Sequence, residues 1–166
     1  VDNALNLIKY AGYLLGQEAS WKEPAPLLKA GLYWPLLQYP RLEELKKYWV
    51  HGNKIALITF YRALVTSGNL KPIDALIKRL LEQGINPLPV YVSSLKDQHS
   101  DEFIKELTLK LDISTVLNTT AFAVSSTESP AKAGPFRNTD CQVFQLILSS
   151  SEKDTWLASP TGLSPR

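Results

Sequence analysis

The chain has 166 residues, 45% hydrophobic and 20% charged, with a formal net charge of +2, which suits one domain or one domain plus part of another. So small a charge does not imply nucleic acid or an acidic membrane as partner, and the lone Cys141 excludes an internal disulfide framework and fits a reducing compartment. The longest apolar runs are a few residues, too short to span a bilayer, and no signal peptide is visible. The opening Val1, the absence of methionine and the ending "SPTGLSPR" suggest a piece of a longer polypeptide.

Residues 3–15, "NALNLIKYAGYLL", place Ala4, Leu7, Ile8, Ala11, Leu14 and Leu15 on one helical face, with Asn3 as cap and Gly16 as terminator. "EPAPLLKAGLYWP" reads as an irregular crossing segment because of its Pro and Gly content. "PRLEELKKYW" (40–49) is a second helix with Pro40 in its first turn, Leu42 and Leu45 inward and a Glu43–Lys47 pair. Residues 1–48 are thus expected to form a helical segment, the tail of a preceding domain plus a linker.

From residue 49 the pattern becomes that of an α/β domain, expected to continue past residue 166. "KIALITFY" (54–61) is apolar on both alternating sets, as in a strand covered on both faces. "NLKPIDALIKRLLEQG" (69–84) is a helix with Asn69 as cap and Gly84 as terminator, and "NPLPVYV" (86–92) the next strand. Ser100 is the expected cap of "DEFIKELTLKLD" (101–112). "STVLNTT" (114–120) and "CQVFQLIL" (141–148) are two further strands, and Ser151 with Asp154 resembles a capping box before a short helix through Trp156. The fold class is α/β: a doubly wound, mostly parallel sheet, Rossmann-like or periplasmic-binding-protein-like, with a helical N-terminal segment.

Open parallel sheets bind ligands outside the carboxyl ends of their strands. Four polar stretches fall there: Tyr61, Arg62, Ser67, Gly68 and Asn69; Ser93, Ser94, Lys96 and Asp97; Asn118, Thr119 and Thr120; and Ser149, Ser150 and Ser151. Most such residues are ordinary turn and cap residues. The run Asn118-Thr119-Thr120 is different, because a cap needs one polar side chain rather than three, and buried polar groups need partners. Either a ligand or neighbouring loops supply them. Phosphate-loop and dinucleotide-binding spacings are absent. His51, His99 and Cys141 make no zinc pattern, and no Ser-His-Asp arrangement exists, so no metal ligands and no catalytic residues are assigned. The segment between the last two strands, 121–140, has the length of a functional lid.

The blocks "FYRALVTSGNLKPIDALIKRLLEQGINPLPVYVSSLKD" (60–97), "VLNTTAFA" (116–123), "DCQVFQLIL" (140–148) and "WLASPTGLSPR" (156–166) resemble the large subunit of aerobic cobaltochelatase, of which the magnesium chelatase large subunit is a more distant relative. The similarity runs from about Gly31 to the end in the family's order. It implies a portion of a cytoplasmic, multisubunit ATP-dependent chelatase that inserts cobalt, as substrate ion, into hydrogenobyrinic acid a,c-diamide in cobalamin biosynthesis. ATP is then used by two partner subunits, and this portion alone is expected to be inactive. Arg62 and Lys96 would pair with substrate carboxylates, Asn118, Thr119 and Thr120 would bond its amides, and Tyr61 or Phe122 would stack on the ring. Trp34 and Gln142 depart from the family pattern, which often has His and Pro there. A scaffold domain docking partner subunits is the alternative, and a free-standing module like the periplasmic receptors a third.

Overall fold

A computed structural model describes residues 2–23, 27–120, 135–136, 140–149 and 153–159. In chain order the elements are α1 (Asp2–Leu14), β1 (Ala30–Leu32), α2 (Leu42–Lys46), β2 (Ile55–Tyr61), α3 (Arg62–Ser67), α4 (Lys71–Glu82), β3 (Asn86–Val92), α5 (Gln98–Lys110), β4 (Ile113–Asn118), β5 (Gln142–Gln145) and α6 (Lys153–Ala158).

The five strands form one sheet in the order β1-β3-β2-β4-β5. β3, β2, β4 and β5 are parallel, and β1 lies antiparallel on β3. The chain runs outward from β2 to β3, then returns to β4 and β5 on the other side, so the order reverses between β2 and β4. That reversal is the topological switch point where this architecture opens a crevice. The mostly parallel, helix-flanked α/β sheet agrees with the expected fold class, and β3 agrees residue for residue with its expected span.

Burial follows the apolar pattern. Every residue of β3 is buried, and the interior of β2 likewise, as a strand packed on both faces requires. Ile73 and Ile77 of α4 and Ile104 and Leu107 of α5 complete the core with Leu57, Ile58 and Phe60. Ala30, Leu32, Trp34 and Leu45 share the same core, so residues 30–45 pack with the sheet. Trp34 is buried and stacks on Tyr48, with ring centroids 4.7 Å apart. Among the described residues no helix is long and apolar enough to cross a membrane.

Several local expectations are corrected. The segment read as irregular contains β1, whose three residues are too few to show a period. The polar stretch after β2 is helical from Arg62 to Ser67, as α3. Asn69 does not cap α4: the cap position is Leu70, without a side-chain bond. The α5 cap is Asp97, which accepts from the His99 and Ser100 amides, while Ser100 is fully buried one turn into the helix. The last strand is shorter than expected, four residues at the sheet edge. The apolar stripe of α1 does not face a core: Leu7, Ile8, Leu14 and Leu15 are exposed. α1 meets the following segment through Tyr10 against Trp21 and the Lys22 amide on Asn6. Ser151, expected as a cap, lies outside the described residues.

Candidate functional site

Parallel pairing brings the carboxyl ends of β2, β3 and β4 side by side. Tyr61 is in register with Val92, and Thr59 with Asn118. The rim therefore gathers Tyr61 and Arg62 after β2, Ser93, Ser94 and Lys96 after β3, and Asn118, Thr119 and Thr120 at the end of β4. Ser67, Gly68 and Asn69 are not part of it. α3 intervenes, and a six-residue helix carries them about 9 Å along its axis. Gly68 there serves as the left-handed terminator of α3, at φ +69°. Phe122 and Ser150 lie outside the described residues, as does most of 121–140.

The crevice at the switch point is filled by the protein's own side chains. Asn118 is fully buried, and its Oδ1 accepts from Thr59 Oγ1 at 2.8 Å, Thr120 Oγ1 at 2.8 Å and the Thr120 amide at 3.1 Å. Its Nδ2 donates to Gln145 Oε1 at 2.8 Å, and Gln145 Nε2 donates to the Thr120 carbonyl at 2.7 Å. The Thr119 amide and hydroxyl both donate to the Thr59 carbonyl, at 2.8 and 3.0 Å. Among the described residues no buried side-chain nitrogen or oxygen lacks a partner. Of the two sources of partners considered for this run, neighbouring strands and loops supply them. The network joins β2, β4 and β5 at one end, and at the other Ser114 ties β4 to β2 by donating to the Ile55 carbonyl at 3.0 Å where the β2–β4 register shifts.

Thr59 and Gln145 are the residues that inspection of the sequence missed. Thr59 is the one polar residue inside "KIALITFY", and a parallel pairing that aligns the two strand ends sets it opposite Asn118. Gln145 carries no such signal, because nothing in the order of residues says which strand lies next to β4.

On the β3 side the rim is more open. Tyr61 and Arg62 are half-buried, Ser93 and Ser94 likewise, and Lys96 is exposed. The antiparallel entry of β1 carries Leu27, Leu28 and Lys29 across this end. The Ser93 amide donates to the Lys29 carbonyl at 2.7 Å, and Lys29 Nζ pairs with Asp97 at 3.0 Å. That hydrogen bond, foremost, holds the Asp97 carboxyl below the usual carboxylate range. The Arg62 guanidinium makes one long contact, 3.4 Å to the Leu27 carbonyl. It also faces the buried Tyr91 phenol, which burial pushes up and Arg62 partly draws back. A guanidinium has five N–H donors, so Arg62 retains donors for an anion.

His51 and His99 are exposed and lie in different elements, and among the described residues no group of three or more His, Cys, Asp or Glu could hold a metal ion.

Comparison with known proteins supplies the context for this geometry. A family model described as CobN/Magnesium Chelatase matches residues 1–166. The aerobic cobaltochelatase subunit CobN of a Sinorhizobium species is 36% identical over 174 residues, covering 99% of this chain and 14% of that protein. The subunit of the same name from Pseudomonas aeruginosa is 34% identical over 156 residues, covering 94% of this chain and 12% of that protein. The chain therefore spans about a seventh or less of the length of these curated relatives. Among solved structures, the catalytic subunit of cobaltochelatase from Mycobacterium tuberculosis shares the fold, with a TM-score of 0.63 over 93% of this chain and 13% of that one, at 21% identity.

Proposed function

The chain belongs to the CobN/magnesium chelatase family, and on that premise we propose that it is a portion of the tetrapyrrole-binding large subunit of an ATP-dependent cobaltochelatase. In this reading the whole subunit inserts cobalt, the substrate ion, into hydrogenobyrinic acid a,c-diamide on the path to cobalamin, in the cytoplasm. Two partner subunits use the ATP, and this portion by itself is inactive.

The observation that carries the reading is Arg62, half-buried at the open end of the rim with a single long hydrogen bond. A corrin precursor is an apolar ring edged with carboxylates and amides. Arg62 takes a carboxylate, a charged hydrogen bond contributing about 1.5–3 kcal/mol. Lys96 takes another, Tyr61 stacks on the ring, and Ser93 and Ser94 bond amides. Ser67, Gly68 and Asn69 are reached only by a substituent that extends past α3, and Phe122 adds a second ring face. Asn118, Thr119 and Thr120 serve the site by holding the strand ends in place, since their own hydrogen bonds are already made.

The test is a titration of the full-length subunit with hydrogenobyrinic acid a,c-diamide, read by tryptophan quenching. Arg62→Ala should lower affinity by about tenfold or more with unchanged thermal stability. Unchanged affinity would remove the rim from the substrate site. A scaffold domain that docks partner subunits is the second reading, and the self-satisfied Asn118 network favours it. It predicts that rim substitutions weaken subunit assembly and leave the tetrapyrrole titration untouched.

A further inference from the structure

β1 closes the sheet on the side opposite β5, so one of its edges has no strand beside it. Its pairing with β3 is antiparallel, with Ala30, Gly31 and Leu32 opposite Val92, Tyr91 and Val90. The Ser93 amide donates to the Lys29 carbonyl and the Tyr33 amide to the Pro89 carbonyl, at 2.7 and 2.9 Å. Hydrogen-bonded and non-bonded pairs alternate in such a ladder. Lys29, Gly31 and Tyr33 thus face β3, and Ala30 and Leu32 turn their N–H and C=O groups outward. Among the described residues no hydrogen bond meets those groups on the outer side.

These groups do not lie on an open surface. Ala30 and Leu32 are only 9% and 8% exposed, at the floor of a cleft of about 670 Å³ between α2 and α5. Leu42 lines it from α2, and Phe103 and Leu107 line it from α5. Main-chain donors and acceptors of residues so little exposed ordinarily have partners. Their spacing identifies the partner. Ala30 and Leu32 are two residues apart, which is the repeat of an extended backbone, and helices keep their main-chain groups inside. Charge narrows it further. Lys110 is held by Glu106 at 2.5 Å, whereas the Arg41 and Lys46 side chains, at the same cleft as Glu43, make no ion pair among the described residues.

We propose that this cleft takes an extended segment of a partner polypeptide bearing an acidic residue, which adds to the outer edge of β1 as a sixth strand. Main-chain bonds to Ala30 and Leu32 supply the affinity, and the walls select its alternate side chains. Arg41 or Lys46 receives its carboxylate. The inference stands apart from the tetrapyrrole reading, since it uses the other edge of β1 from the rim and none of the rim residues.

Amide exchange of the whole chain tests it, measured by NMR with and without an end-blocked heptapeptide of alternating valine and threonine with a central aspartate. Saturating peptide should slow exchange at Ala30 and Leu32 by about tenfold or more and leave the Gly31 amide, already bonded to β3, unchanged. Arg41→Glu or Lys46→Glu should weaken the peptide by about fivefold or more without altering the fold. Ala30→Pro removes an outward donor while sparing every bond to β3, and it should abolish binding. The proposal fails if the peptide leaves both amides unaltered, if it protects Gln142–Gln145 at the opposite edge instead, or if neither Arg41→Glu nor Lys46→Glu changes its affinity.

Discussion

The two margins of the β2–β3 pair treat polar groups in opposite ways. At the switch point, Thr59, Asn118, Thr120 and Gln145 bond one another, and among the described residues no buried side-chain nitrogen or oxygen is left without a partner. At β1, main-chain groups of Ala30 and Leu32 face a cleft with no partner from the described residues. The polar side chains looked like the binding feature, and the small apolar strand looked like a connector. Polarity alone does not mark a site. Unused hydrogen-bonding capacity does, and counting it needs the neighbours of each group.

Breaking the sealed margin should have the largest effect. Asn118→Leu takes the acceptor from the Thr59 and Thr120 hydroxyls and the Thr120 N–H and the donor from Gln145 Oε1, and it should cost about 3 kcal/mol or more in urea denaturation. A loss under about 1 kcal/mol would mean that water or a rearranged loop meets those groups. Next comes Gly31→Ala. A Cβ there would collide with the Tyr91 phenol, whose Cζ would stand 2.7 Å away. Overpacking of this kind should cost about 1–3 kcal/mol. The loss should shrink when Tyr91→Ala is combined with it, since residues in contact are not additive. Thr119→Val removes one hydroxyl bond to the Thr59 carbonyl and should cost about 1 kcal/mol.

The smallest effect is the pH response of the Lys29–Asp97 pair beside β1. The Asp97 carboxyl is depressed in the folded protein, so the pair's contribution is complete above the ordinary value of 3.8 and is lost as pH falls through the lower native value. Lys29→Ala should therefore differ from the parent in stability near neutral pH and converge with it in acid. A difference that persists in acid would assign Lys29 a packing role instead. Exposure of the pair keeps the effect small.

Much of the architecture was legible in the residues. β2 and β3 announce themselves as continuous apolar runs, and α4 and α5 as stripes at helical spacing, because burial on two faces or one leaves a period that survives in one dimension. Strand β1 was not legible, since three residues carry no period and neighbouring Pro and Gly argue against a strand. Asp97 was placed on the rim and Ser100 at the cap; both are good caps, and only the turn geometry after β3 decides between them. The exposed stripe of α1 shows the complementary limit: amphipathicity specifies an apolar face and is silent on what covers it.

The candidate site was legible as a location and not as a set of contacts. The rule for parallel sheets placed Tyr61, Arg62, Ser93, Ser94, Lys96 and Asn118 at one end of the sheet, and they are there. It did not separate Arg62, with one long contact, from Asn118, whose amide oxygen and nitrogen both have partners within the sheet.

The sequence by itself determined the α/β class, four of the five strands, the apolar core and the family, because each rests on local periodicity or on blocks of residues in order. Only the tertiary structure decided which polar groups are spent, which strand stands at the edge and where a free backbone meets a cleft. Those are relations between residues sixty or more positions apart, such as Thr119 and Thr59 or Lys29 and Asp97, and they exist only once the sheet has set its strands side by side.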